Sequence, residues 1–194
     1  GGAAGMFSAG TAAKGLGRVL LLEKNRDLGK KLRITGKGRC NVLNDCTPEE
    51  VLKNVPTGGR FLYSSVWGFP PEAARAFFES IGVPLKTERG SRVFPVSDKA
   101  GDVVEALERW VRAAGVEIRR GTARELLVRE GRVAGVRTAG ETYFAPRVIL
   151  ATGGMSYPGT GSTGDGYELA RQAGHTVTPI SGSLVPLEVR GGCR

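Results

Sequence analysis

The chain has 194 residues, 40% of them hydrophobic and 24% charged, an ordinary globular balance that argues against disorder and suffices for one sizeable domain. It has no run of about 18 apolar residues, and the apolar stretch at 19–22 is too short for a signal-peptide core, so the expectation is a cytoplasmic protein with no membrane contact. Cys40, Cys46, Cys193 and the single His175 supply neither a disulfide framework nor a metal-ligand set, and the net charge of +9 is read as a solvated basic face serving in part an anionic phosphate cofactor, not nucleic acid.

In chain order, a glycine-rich opening leads into a small-residue helix over 3–16, closed by Gly17. Residues 18–23 (RVLLLE) read as a buried parallel strand. A polar, turn-rich stretch follows, then a short helix over 48–53 with Thr47 as its cap. Apolar residues at 73, 77 and 81 place a helix over 71–81, and 93–96 is extended. The clearest helix spans 98–114, with Val103, Leu107, Trp110, Val111 and Ala114 as its stripe and Gly115 behind it. The period then changes to two: a strand at 116–120, a hairpin of 125–129 and 132–137 across Glu130-Gly131, and an edge strand at 142–145. Residues 148–151 form a buried strand running into Thr152-Gly153-Gly154, and a glycine-rich loop leads to a helix over 165–173. The pattern is α/β, a parallel sheet with an antiparallel meander on one face and a mostly helical insert at 45–100. A sheet of this kind begins with a strand before its first glycine turn, and no such strand stands ahead of Gly1.

Two features carry chemistry together. Gly2 and Gly5 match the second and third glycines of the dinucleotide fingerprint. Bare backbone at Gly2 lets the pyrophosphate approach the helix N-terminus, whose free N–H groups and dipole attract it, and a small residue at Gly5 lets helix and sheet pack closely. Glu23 stands 18 residues after Gly5 at the end of the second strand, where a carboxylate accepts ribose hydroxyls and repels a 2′-phosphate. This favours FAD or NAD over NADP. Gly36 and Gly38 allow a second close approach, Lys30, Lys31, Lys37 and Arg39 add charge, and Asn41 and Asn44 add amides. Cys40 is either packing or near the cofactor, and Asp165 is either a helix cap or a ligand to sugar hydroxyls, the cap being the simpler reading. Tyr157 lies in the loop after Thr152-Gly153-Gly154, and His175, behind a helix-ending glycine, reads as surface or structure.

The segments GGAAGMFSA, LLEKNRDLGKKLRITGKGRCNVLN, SRVFPVSDKAGDVVEAL, ILATGGMSYPGTGSTGDGYELARQAGH and SLVPLEV span almost the whole chain. In this order they resemble the BaiN/YhiN-like family of NAD(P)/FAD-dependent flavoproteins. The resemblance implies a glutathione-reductase-like, Rossmann-type FAD-binding domain over 1–183, incomplete for want of its first strand, with 184–194 opening an inserted substrate-side domain; family members are about twice as long. It places Gly2, Ala3, Ala4 and Gly5 at the pyrophosphate, and Glu23 with Lys24 at the ribose. Lys31, Thr35, Gly36, Gly38, Arg39, Cys40 and Asn41 fall near the flavin and its ribityl-phosphate arm. Ala123 falls at the adenine, and Ala151, Thr152, Gly153 and Asp165 belong to the second cofactor loop. The implied function is FAD-dependent two-electron transfer between a small-molecule substrate and NAD(P)H or oxygen, no catalytic residue being identified; the alternative is a nucleotide-binding module without turnover. Ser91 stands where the family usually has glycine.

Overall fold

The computed structural model describes residues 1–15 and 17–182, so the predicted start of a further domain at 184–194 and Cys193 lie outside the described residues. The small-residue helix is α1 (Ala3–Ala13), shorter than its predicted span because Lys14 and Gly15 already turn away behind it. The apolar run is β1 (Leu20–Glu23), which pairs in parallel with β5 (Glu117–Arg120), Glu23 lying level with Arg120. Alternation along these strands decides the layers. Leu21 and Ile118 face a core built from α1 and from α5 (Ala100–Ala113), with Met6, Ala9, Val103, Leu107 and Val111. Leu22 faces the other way, onto a second cluster of Leu126, Val136 and Leu169.

That second face is the predicted meander: β6 (Glu125–Arg129), β7 (Arg132–Arg137) and β8 (Thr142–Phe144) in the order β6-β7-β8, with α6 (Asp165–Gln172) packed on β6. Glu130 and Gly131 both take positive φ, 51° and 72°, as a tight right-twisting hairpin requires.

Close approach of α1 to α5 rests on Gly10: a Cβ there would lie 2.3–2.8 Å from the Trp110 ring. The same contact anchors an aromatic cluster in which Phe77 meets Trp110 edge-on at 4.8 Å and Phe7 at 5.0 Å. Phe77 comes from α4 (Pro71–Ser80), inside the insert. Besides α4 and the predicted α2 (Pro48–Lys53), whose Thr47 and Glu50 form a reciprocal capping box, the insert holds α3 (Gly59–Gly68), which sequence periodicity did not signal and which buries no residue. It also forms an antiparallel sheet, β2 (Leu43–Asn44), β4 (Arg92–Pro95) and β3 (Leu85–Glu88), in the order β2-β4-β3. The insert at 45–100 is therefore mostly helical, with one short antiparallel pair, β3 and β4, that β2 joins from just ahead of it. Its strands are too short to display a period, and their pairing is between residues more than forty positions apart for β2 and β4.

One predicted strand differs. Residues 148–151 pair with no strand among the described residues, and Ile149 is 64% exposed. A parallel ladder needs a neighbour. The edge of β1 away from β5 is likewise unpaired among the described residues.

Candidate functional site

The opening turn sits at the carboxyl end of β1. Gly2 precedes α1 in extended conformation, and a Cβ on Gly2 would meet nothing within 4 Å, so the first-turn N–H groups of the helix open onto free space. Gly1 is held against the strand end: its carbonyl accepts from the Gly29 N–H at 2.8 Å, and a Cβ on it would strike Leu28 and the Glu23 carboxylate. Gly5 differs from expectation. A methyl there would lie 3.5 Å from Leu21 and 3.6 Å from Ala151, ordinary contact, so the glycine that sets close helix packing is Gly10. The same distances bring Ala151, at the head of the second bend, beside the first turn of α1.

Glu23 accepts hydrogen bonds from the Asn25 N–H at 2.7 Å and the Asn25 amide at 2.8 Å. Burial favours its neutral acid, and the two hydrogen bonds from Asn25 favour the carboxylate. The carboxylate also lines a cavity of ≈ 160 Å³, shared with Leu28, Ile118 and Arg120.

The second predicted site segment is a tight, strained loop. Gly36, Lys37, Gly38 and Cys40 all take positive φ, two of them non-glycine. Thr35 Oγ1 donates to Leu32 O at 2.7 Å, and Cys40 N–H donates to Thr35 O at 3.0 Å. The Asn41 amide donates to Val93 O at 3.1 Å and Leu43 O at 3.0 Å, tying the loop to β4. Cys40 is a buried core residue, its thiol pKa raised by that burial, so packing is its role here. Arg39 lies 4.2 Å over the Phe94 ring and pairs with Glu88 and, at 2.6 Å, with Asp98. Lys86 joins Asp98 at 2.6 Å. The Arg39 charge is thus balanced by the protein, and its guanidinium braces the loop from behind.

The third segment, 151–165, folds back on the end of β1. Lys24 Nζ reaches Asp165 Oδ2 and Thr163 Oγ1, both at 2.6 Å. The Asn25 amide donates to Thr160 O at 3.2 Å, and Lys31 Nζ donates to Ser156 O at 2.9 Å. Asp165 is not a cap: Gly164 occupies the cap position of α6, and the Asp165 carboxyl is held below its usual range by Lys24 first and Thr163 after it. Thr152 and Gly153 pack within the loop, Gly166 lacking a Cβ where Thr152 Oγ1 sits and Gly153 where Ser162 Oγ sits. Ala123 packs with Leu22 and Val148 on the meander cluster, two residues beyond Gly121, whose N–H donates to Glu23 O.

The chain has counterparts among known proteins. The HI0933-like protein Rossmann domain model matches residues 1–192. The chain belongs to that family. Within it, the chain is 36% identical to the 3-dehydro-bile acid delta(4,6)-reductase of Clostridium scindens, over 98% of this chain and 46% of that protein. It is 30% identical to the ribosomal RNA dihydrouridine synthase of Haemophilus influenzae, over 97% of this chain and 47% of that one. The L-aspartate oxidase of Pyrococcus abyssi is 30% identical over 80% of this chain and 36% of its own length. The HI0933-like chain spans about half the length of the curated relatives it matches. Among solved structures, THI4 of Thermovibrio ammonificans shares the fold, with a TM-score of 0.56 at 17% identity over 91% of this chain and 61% of that one. Rossmann-like α/β architecture is therefore common ground for the HI0933-like chain and this neighbour.

Several residues that shape the HI0933-like site were not singled out from the sequence. Asn25 fixes the Glu23 carboxylate and touches the return loop. Glu88, Asp98 and Lys86 brace Arg39. The signal for Asn25 was its place two residues after the strand-end acid; no local signal marks the other three, because they meet Arg39 only through the β3–β4 pairing. His175 is exposed behind α6, where its N–H donates to Ala170 O. Tyr157 is 69% exposed in the return loop.

Proposed function

We propose that the chain is the FAD-binding part of a flavin-dependent oxidoreductase, transferring two electrons between a small organic substrate and NAD(P)H or oxygen. The observation that carries this reading is a charged carboxylate, Glu23, at the end of a parallel strand beside a turn where Gly2 leaves the helix N-terminus open. Relatives named as a reductase and an oxidase support redox chemistry. Bound FAD supplies the two-electron chemistry itself.

The chain's own residues do the rest. The N–H groups of Gly2, Ala3, Ala4 and Gly5 bind the pyrophosphate, aided by the helix dipole. Glu23 accepts the ribose hydroxyls, with Asn25 holding its carboxylate in place. The close-approach loop at 36–40 lies at the flavin end, and Arg39 and Asn41 keep that loop in shape. Lys24 and Lys31 act at one remove by pinning the return loop to the strand end.

The test is spectroscopic. The purified protein is expected to carry oxidised-flavin absorbance that bleaches with NADH or NADPH and recovers in air; binding without bleaching would favour a nucleotide-binding module without turnover. Glu23→Arg is expected to lose flavin by reversing charge at the ribose, and unchanged flavin content would remove Glu23 from the site.

A second reading concerns the substrate alone. The net charge of +9, the exposed Phe61, Tyr63 and Trp67 of α3, and two relatives named as ribosomal RNA dihydrouridine synthases are the features that suit a base within RNA as the substrate. RNA binding that weakens steeply with salt would support it.

A further inference from the structure

The insert carries an aromatic face that is open among the described residues. In α3, Phe61 is 86% exposed, Tyr63 57% and Trp67 45%, and Phe69 just behind the helix is 41% exposed. Apolar side chains scattered singly on a surface need no explanation; four gathered on one short helix and the turn behind it mark an interaction site. The face is built, not loose. Tyr63 and Trp67 pack ring to ring at 6.1 Å, and Phe69 meets Phe7 of α1 at 4.9 Å, which ties the face to the core. Beside it lies an apolar groove of ≈ 370 Å³, whose walls include Leu43, Val51, Val66, Phe69, Pro71 and Ala74. A cavity of about 150 Å³ holds a benzene ring, so this groove has room for an aromatic side chain.

Charge and area point to what covers it. Residues 54–71 hold a single charged side chain, Arg60, in a chain that is 24% charged. RNA stacked on these rings would need cations along its backbone, and this stretch supplies Arg60 alone. A second copy of the chain needs the opposite. Two molecules of net charge +9 repel, and they meet at least cost where each presents almost no charge. Charge depletion with aromatic enrichment is also the composition of an interface core. At about 150–250 Å² per ring, the exposed fractions of the four rings present roughly 350–550 Å² per copy. Two copies therefore bury roughly 700–1,100 Å² in these rings, and the groove walls carry the total past the roughly 1,000 Å² that a specific interface needs.

The face also complements itself. Phe61 stands in the first turn of α3, and the groove is walled by Val66 and Phe69 at its far end, roughly 8–12 Å along the helix. Two α3 helices laid side by side in opposite directions bring the first turn of each to the last turn of the other, the arrangement a two-fold axis produces. We propose that the α3 face is a homodimer interface in which Phe61 of each copy enters the groove of the other. The inference goes beyond the flavin reading and holds whichever ligand the opening turn takes.

Sedimentation velocity of the purified protein from low to high micromolar concentration is the test, with melting curves on every variant to check folding. The protein is expected to pass from monomer to dimer over that range, as an interface of modest area implies. Phe61→Ser removes a ring that is almost fully exposed, and Ala74→Phe places a ring of the same copy in the groove; each is expected to weaken the dimer by roughly tenfold or more. Ser64 is exposed among the rings, so Ser64→Lys sets like charges against each other across the dimer and is expected to weaken it likewise. The same added cation would tighten RNA on this face. A protein that stays monomeric at every concentration overturns the proposal, and so does a dimer that survives Phe61→Ser and Ser64→Lys unchanged. RNA binding that tightens in Ser64→Lys overturns it in favour of RNA. A monomer whose Trp67 fluorescence, taken as the difference from Trp67→Phe, resists a soluble quencher overturns it in favour of cover by the chain itself.

Discussion

Two glycine-rich segments of this chain look alike in sequence and use glycine for opposite reasons. At the opening turn, a side chain on Gly2 would project into free space. In the return loop, a Cβ on Gly161 would lie 2.6 Å from the Asn25 amide, and one on Gly166 would lie 2.2 Å from Thr152 Oγ1. The first absence leaves room for something outside the chain. The second lets the chain pack on itself, and Gly161 also needs its φ of 100°. Glycine density therefore does not separate a ligand-facing turn from a self-packed loop; the atoms within reach of the missing side chain do.

The largest expected effect comes from breaking the first use and leaving the fold alone. Aspartate is a good residue at a helix N-cap, so Gly2→Asp keeps α1 capped while placing bulk and negative charge where the pyrophosphate is proposed to sit. FAD affinity is expected to fall by about a hundredfold or more, equivalent to about 2.7 kcal/mol, with Tm unchanged or slightly raised. Retained affinity would show that the open space beyond Gly2 is not the phosphate site. Next comes the second use. Gly161→Ala meets both the clash and the left-handed backbone, an expected cost of about 1–3 kcal/mol. Calorimetry should then show Tm lower by roughly 2–12 °C. Faster amide exchange should be confined to the return loop, where Gly164 N–H otherwise donates to Gly154 O at 3.2 Å. A fully stable Gly161→Ala would mean that the loop is not held by this packing.

How much of this was legible beforehand follows from the range of each signal. The helix α5 and the hairpin at Glu130-Gly131 were readable because their causes are local: a 3.6-residue apolar stripe in one, two residues suited to positive φ in the other. The acid at Glu23 was readable because a strand end fixes its position. The bracing of Arg39 was not, since Glu88 and Asp98 reach it from strands and turns about fifty and sixty residues away. The contact of Asp165 was out of reach for the same reason: a cap is a local inference, and Lys24, which Asp165 meets, is 141 residues distant. Strand 148–151 has the composition of a buried strand, and composition carries no information about whether a neighbour stands beside it.

A smaller effect isolates the backbone contribution from the clash. Ser91 takes φ 57° at the turn between β3 and β4, the position where the family resemblance leads one to expect glycine. It is exposed, and its carbonyl accepts from Asp45 N–H, a contact that glycine keeps. Ser91→Gly is expected to stabilise the protein by about 1 kcal/mol through relief of left-handed strain alone. Subtracting that value from the loss at Gly161→Ala leaves the share due to packing against Asn25 and Lys24. If Ser91→Gly is neutral or destabilising, the positive φ there costs nothing and the subtraction has no basis.

The smallest effect concerns the ion pair that holds the self-packed loop to the strand end. Lys24 and Asp165 are both partly exposed, so their 2.6 Å contact is worth only about 0.2–1 kcal/mol. Its pH dependence is nevertheless diagnostic. Asp165 titrates below its ordinary value because Lys24 and then Thr163 favour its charged form. A carboxyl depressed in this way adds stability above its unfolded pKa of about 3.9 and loses it as pH falls through the lower folded value. Asp165→Asn should therefore melt below the unmodified protein by a constant small margin from pH 5 to 8, and the margin should narrow steadily once pH drops below about 4. The chain's single histidine, His175, lies exposed behind α6, where its backbone N–H donates to Ala170 O. A margin that closes between pH 6 and 7 would assign the pinning of the loop to a different group, and a margin that is flat from pH 3 to 8 would mean that Asp165 acts there through its shape and hydrogen bonds, not its charge.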